Sequence, residues 1–167
     1  MTAAAHVRPA RTTDVRDIRS LIDFYSPDGR LLSKATVTLF EAIQEFMVAE
    51  VDGRVVGCGA MHVMWEDLAE VRTLAVDPEF AGRGIGSEML SALLDRARAV
   101  GVKKVFCLTF AVPFFERHGF AEIDDTPVDH DVYEQLLQSY DEGVAEFLGL
   151  ERVKPNTLGN HRMLASL

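Results

Sequence analysis

The segment richest in chemistry is Val76-Asp77-Pro78-Glu79-Phe80-Ala81-Gly82-Arg83-Gly84-Ile85-Gly86-Ser87. A strand-like run enters a loop with three alternate glycines, and the loop enters a helical pattern. Glycine lets the backbone approach a ligand closely and take conformations closed to other residues. The N–H groups of such a loop and of the first helical turn converge on one spot, where the helix dipole favours an anion. Arg83 adds a positive group. Spacing excludes two common phosphate loops. Gly86 is followed by Ser87 without the lysine of a P-loop. A Gly-x-Gly-x-x-Gly fingerprint fails at Ser87 counted from Gly82 and at Met89 counted from Gly84. Two readings remain: a cradle for a phosphate-bearing ligand, or a turn that only permits strand–helix packing.

The elements that must position this loop follow from periodicity. His6 to Ala10 reads as a short edge strand. Thr13 reads as an N-cap, followed by a helical series at Val15, Ile18, Leu21, Ile22 and Tyr25. Ser26-Pro27-Asp28-Gly29 breaks it, and roughly Thr36 to Gln44 is a second amphipathic stretch that carries Val37, Leu39, Phe40 and Ile43. Phe46 to Val51 and Arg54 to Val63 are strands joined by a hairpin at Asp52-Gly53. In the strand Leu68 to Val76, alternation puts Glu70, Arg72, Leu74 and Val76 on one face. A helix opening near Gly84 carries the stripe Ile85, Met89, Leu93 and Ala97 and stops at Gly101. Strand Lys103 to Thr109, short helix Val112 to His118 and strand Phe120 to Ile123 come next. Asp129 to Tyr140 reads as an exposed helix with Val132, Leu136 and Leu137 inward. Asp141 to Gly159 has no clear pattern, Asp141-Glu142 reads as solvated surface, and Arg162 to Leu167 is a closing strand. This order predicts an α+β (mixed α/β) fold with one sheet.

The chain has 167 residues, which predicts a single domain over 1–167, with a core at about 6–124 and a C-terminal helix and closing strand in 125–167. Acidic residues number 26 against 17 basic, a net charge of −9, which argues against nucleic acid or an anionic membrane as a partner. No signal peptide or membrane span is read. Cys58 and Cys107 lack metal-ligand spacing, so no metal and a reducing, cytoplasmic setting are expected. Met47, Met61, Met64 and Met89 read as core filler, and Trp65 as an aromatic packing residue.

Leu74-Ala75-Val76-Asp77-Pro78 followed by Gly82-Arg83-Gly84-Ile85-Gly86 resembles the acetyl-CoA motif of the GNAT N-acetyltransferase superfamily. Phe114-Phe115-Glu116-Arg117-His118-Gly119-Phe120 resembles its second motif. The likeness covers roughly Val7 to Ile123. It implies a central, mixed, mostly antiparallel twisted sheet flanked by helices. It also implies acetyl-CoA as co-substrate, with pantetheine along Leu74, Ala75 and Val76 and the diphosphate on the amides of Gly82, Arg83, Gly84, Ile85, Gly86 and Ser87. Two positions depart from the pattern: Ala81 stands where Gln or Arg is usual, and Phe115 where a proton-donating Tyr is frequent. Water or another group then reprotonates the thiolate, or it leaves unprotonated, its reference pKa being about 8.5.

A finer resemblance runs through Phe46-Met47-Val48-Ala49-Glu50, Gly57-Cys58-Gly59-Ala60, Glu70 to Val76, Lys104 to Thr109 and Asn160-His161-Arg162-Met163-Leu164. It is to the acetyltransferase domain of N-acetylglutamate synthases, above all the short, stand-alone actinobacterial form. It implies acetylation of the α-amino group of glutamate or glutamine, opening arginine biosynthesis. Longer bacterial forms carry an arginine-sensing, amino-acid-kinase-like domain for which 167 residues leave no room, so feedback by that route is not expected. Glu70 is the candidate general base, against a rim carboxylate paired with Arg72. His62 is second, against a packed strand histidine. Arg72 is the first candidate for a substrate carboxylate, then Arg162 and Lys34, with Thr109 offering a hydroxyl; each could instead serve an ion pair or the fold. Cys107 is expected to be inert. Other acceptors stay open: a protein N-terminus, a polyamine or a drug amine. So do a non-catalytic acyl-CoA sensor and a homodimer through the 129–159 region.

Overall fold

The computed structural model describes residues 3–28, 35–150 and 160–167. Seven strands pair in the order β1-β2-β3-β4-β5-β7-β6. They are β1 His6–Pro9, β2 Phe46–Val51, β3 Arg54–Trp65, β4 Leu68–Val76, β5 Lys104–Thr109, β6 Phe120–Glu122 and β7 His161–Ser166. The β4–β5 pair is parallel; β1–β2, β2–β3, β5–β7 and β6–β7 are antiparallel. The helices are α1 Val15–Tyr25, α2 Thr36–Glu41, α3 Ile85–Val100, α4 Val112–Glu116, α5 His130–Leu136 and α6 Glu142–Leu148. This is the expected α+β class with a mixed, mostly antiparallel sheet. The closing strand β7 is inserted between β5 and β6, so β6 forms the sheet edge. Residues group into two compact units, Met1–Met61 with Val71–Arg96 and His62–Glu70 with Ala97–Leu167.

In the first unit, Asp52 (φ 49°) and Gly53 (φ 78°) are both left-handed, the conformation a two-residue hairpin with right-twisting strands requires. Helix α1 buries Val15, Ile18, Leu21 and Ile22 in a cluster with Val48, Cys58, Ala60 and Ala75. In α2 the apolar residues divide between two faces. Leu39 is buried, but Val37 and Phe40 are 62% and 48% exposed. They stand three apart on one face, and a helix this short buries only the other. The N-cap reading of Thr13 is also corrected: Thr12–Asp14 is a 3-10 turn, and α1 starts at Val15. Asp14 is the anchor. Its carboxylate accepts from Arg8 Nη1 (2.8 Å), Arg8 Nη2 (3.0 Å) and the Arg11 amide (2.7 Å), tying β1 to the start of α1. The hydrogen bonds from Arg8 hold the Asp14 carboxyl below its ordinary range despite burial, and raise Arg8 in turn.

The second unit packs Leu68, Phe106, Leu136, Val144, Phe147 and Leu148 into one cluster, with Trp65 and Met64 against it. Phe106 and Phe147 meet edge to face at 5.2 Å. Helix α6 occupies part of the stretch without a clear pattern, and Gly143 to Leu148 are all buried. Asp141 is therefore a cap and not solvated surface: its carboxylate accepts from the Val144 amide at 3.0 Å, and Gly149 in the left-handed region ends the helix. Leu137 is 45% exposed and not inward, because α5 ends at Leu136.

Asp14→Ala is expected to destabilise the protein by about 2 kcal/mol at pH 7, since it leaves the nearly buried Arg8 guanidinium with only Glu50 at 3.6 Å and the Pro9 carbonyl at 3.1 Å. The lowered carboxyl contributes stability above its unfolded pKa of about 3.9 and loses it as pH falls through the lower folded value. Urea unfolding should thus show a constant difference from wild type between pH 7 and about 5, narrowing below about pH 4.

Candidate active site

Strand β4 is not regular. Thr73 has φ 58°, a left-handed conformation that a β-branched residue strongly resists, and it is buried. The flanking residues keep the expected alternation, with Val71, Thr73 and Ala75 buried and Arg72, Leu74 and Val76 half-buried. At the strand's end the Val76 carbonyl accepts from the Tyr25 hydroxyl at 2.5 Å. The Asp77 amide donates to Val56 at 2.7 Å, and the Asp77 carboxylate caps the Pro78–Phe80 turn by accepting from the Glu79 amide at 2.9 Å. Arg54 pairs with Asp77 at 2.7 Å and with Glu79 at 3.4 Å. The Arg54 and Arg83 guanidinium groups lie 5.5 and 4.7 Å from the Phe80 ring centre.

The loop then turns with Gly82 at φ 77° and Gly84 at φ 80°, both facing open space. Gly84 gives its carbonyl to the Glu88 amide. Among the described residues, the amides of Gly82, Arg83, Gly84, Ile85 and Gly86 make no backbone hydrogen bond. These donors open a helix of 16 residues whose stripe of Ile85, Met89, Leu93 and Ala97 is buried. The helix packs tightly on β3: a Cβ at Gly57 would lie 2.9 Å from Met89 Sδ, and one at Gly59 would lie 2.9 Å from Leu93 Cδ1. An anion is what such a set of amides can hold.

The second unit holds most of the remaining candidates. Glu70 is buried and occupies the last registered β4–β5 pair, opposite Phe106. Burial and then the Glu70 charge push the Cys107 thiol upward. The Thr109 hydroxyl accepts from the Ala111 amide at 2.8 Å. Arg162 donates through Nε to the Glu146 carbonyl at 3.3 Å and through Nη2 to the Phe147 carbonyl, with its guanidinium carbon 5.9 Å from the Phe106 ring. Burial lowers its pKa. His62 Nε2 lies 3.7 Å from Asp141. Phe115 is an interior ring, edge to face with Phe114 and Phe120 at 5.1 Å each. Lys34 lies outside the described residues. Among the described residues, no three His, Cys, Asp or Glu side chains could hold a metal ion.

Two features escape sequence reasoning. The bend at Thr73 leaves no signal, because the residues around it alternate as in any half-buried strand. The cap at Asp141 does leave one: an Asp, apolar residues at Val144, Ala145, Phe147 and Leu148, and a stop at Gly149.

The family model described as Acetyltransferase (GNAT) family matches residues 15–120. The chain is 55% identical over 165 residues to an amino-acid acetyltransferase of Mycobacterium tuberculosis, covering 96% of this chain and 94% of that protein. It is 36% identical over 132 residues to an amino-acid acetyltransferase of Ralstonia nicotianae, covering 77% of this chain but 29% of that longer protein. The crystal structure of Rv2747 from Mycobacterium tuberculosis in complex with CoA and NLQ matches with a TM-score of 0.92 and 55% identity, over 97% of this chain and 99% of that one. N-acetylglutamate synthase from Neisseria gonorrhoeae, complexed with coenzyme A and N-acetyl-glutamate, matches at TM-score 0.79 and 24% identity, over 100% of this chain and 36% of that one, a likeness of fold. Glycine-loop geometry, strand order and these similarities agree: the chain belongs to the acetyltransferase (GNAT) family.

Proposed function

We propose that the protein transfers the acetyl group of acetyl-CoA to the α-amino group of L-glutamate or L-glutamine. The observation that carries this reading is the set of loop amides from Gly82 to Gly86, without backbone partners among the described residues and at the positive end of α3. The diphosphate of the co-substrate has the charge and size for them, with Arg83 beside it. The relative at 55% identity, named as an amino-acid acetyltransferase, supports the acceptor class.

In this reading pantetheine pairs with backbone groups of Leu74, Ala75 and Val76; the Val76 carbonyl is already taken by Tyr25. Glu70, directly or through a water, takes a proton from the substrate ammonium. The amine lone pair attacks the thioester carbon, a β4 amide binds the oxyanion, and the C–S bond breaks. Phe115 has no proton to give, so the thiolate leaves as such or is protonated by water. Transfer is direct. Burial pushes the Cys58 thiol to about 12 and raises Cys107 as well, so neither offers a thiolate for an acyl-enzyme. Arg72 binds the substrate α-carboxylate, with Thr109 and Lys34 as further polar contacts. Arg162 stands behind Arg72 because two of its donors serve α6. Two buried free cysteines suit the reducing cytoplasm.

A CoA-release assay with glutamate, glutamine and spermidine tests the reading. Turnover with an amino acid is expected; turnover with spermidine alone would replace it by a polyamine acceptor, and none with any amine by an acyl-CoA sensor. Arg72→Ala should raise the amino-acid KM about tenfold or more and leave CoA affinity unchanged, since it removes a charge-assisted hydrogen bond made only to the acceptor. Glu70→Gln should lower kcat by about 10²–10⁴ and remove the fall of kcat at acid pH that protonation of the base causes. Gly84→Ala meets no steric clash, so its expected loss of about 1–2 kcal/mol is backbone strain at φ 80°, read by thermal unfolding together with weakened CoA binding.

A further inference from the structure

We propose that Cys58 is a positioning residue for acetyl transfer: its side chain clamps the left-handed bend of β4 at Thr73 and so fixes the peptide groups around Leu74. Strain of the kind Thr73 carries persists only where surrounding structure over-determines it. Cys58, on β3, is fully buried, and its Sγ lies 3.4 Å from the Thr73 carbonyl oxygen. The Ala75 backbone acts on the same sulfur, holding its pKa below what burial alone would give. One side chain therefore donates to β4 just before Leu74 and faces it again just after.

The neighbours of Cys58 make this reach specific. A Cβ at Gly59 would lie 3.0 Å from Leu74 Cδ1 and 3.7 Å from Leu74 Cα, and one at Gly57 would lie 3.4 Å from the Ala75 carbonyl. The Gly57-Cys58-Gly59 run thus brings β3 against β4 on either side of the bend, with the sulfur bridging it. A bend takes peptide groups out of the regular ladder, and a buried group without a partner is unfavourable. The thiol supplies the Thr73 carbonyl with a donor, and burial keeps it protonated and able to donate. The catalytic consequence rests on the acetyl-transfer reading, in which a β4 amide beside Leu74 binds the thioester oxygen.

Cys58→Val fills the site, being larger by about one methyl group, and removes donor and acceptor; Cys58→Ser keeps both. In Cys58→Val, hydrogen exchange at the Leu74 and Ala75 amides should rise about tenfold relative to the Val48 amide, and kcat should fall about tenfold with CoA affinity within about twofold. Cys58→Ser should recover most of both. A merely space-filling role would lower thermal stability and leave kcat and the local exchange at wild-type values; that result overturns the proposal. If wild-type protein acetylates no amine, the acetyl-transfer reading fails, and the exchange ratio alone decides the clamp, an unchanged ratio overturning it. Cys58→Ala replaces Cys58→Val if the latter does not fold.

Discussion

Helix α3 packs against β3 where the strand presents hydrogen atoms in place of side chains, and its first amides open at the end of the loop that follows β4. Met89 and Leu93, four residues apart and fully buried, occupy the space above Gly57 and Gly59. Glycine within a strand normally weakens it, giving up both packing and conformational restriction. Here that loss lets the ends of Met89 and Leu93 lie on the strand in positions that a methyl group would force them to leave. The glycines of the following loop serve a different end. Gly82 and Gly84 touch nothing that a methyl group would meet, and their need is conformational. One set of glycines sets how near the helix sits, and the other how the chain enters it.

The second unit answers a different problem, how to bury polar groups. Glu70, Glu146 and the thiol of Cys107 are interior, and Arg162 spends its donors on carbonyls at the C-terminal end of α6. A cation there meets the last carbonyls of the helix and the negative end of its dipole. The Phe106–Phe147 contact closes the same region with apolar surface. Strand β7 is fixed to α6 through Arg162 and to β5 through its ladder.

What could be read from the sequence was local. The hairpin at Asp52-Gly53, the stripe of α3 and the glycine loop each depend on residues close along the chain, and period or turn chemistry reveals them. The Arg8–Asp14 pair, the Tyr25 bond to Val76 and the sulfur bridge at Cys58 join residues whose types are ordinary and whose meeting depends on the completed fold. Arg162 shows the limit most clearly: its guanidinium suits a substrate carboxylate, yet the fold gives it helix carbonyls as neighbours. Residue type indicates what a group can bind and leaves open what will be near it. Helix α6 is a different case, since its cap, apolar spacing and glycine stop were all present, compressed into too short a segment to stand out.

The outer strands of the sheet are its shortest. β1 has four residues and ends in Pro9, which has no amide hydrogen to offer, and Arg8 within it is committed to Asp14. β6 has three. A strand from another molecule seeking to extend the sheet would find too few unpaired backbone groups on either side to hold it in register. Insertion of β7 beside β5 contributes to this, because it keeps the six-residue C-terminal strand off the rim and gives that place to a three-residue one. The same chain order that completes the ladder thus also guards the protein against runaway self-association through its sheet.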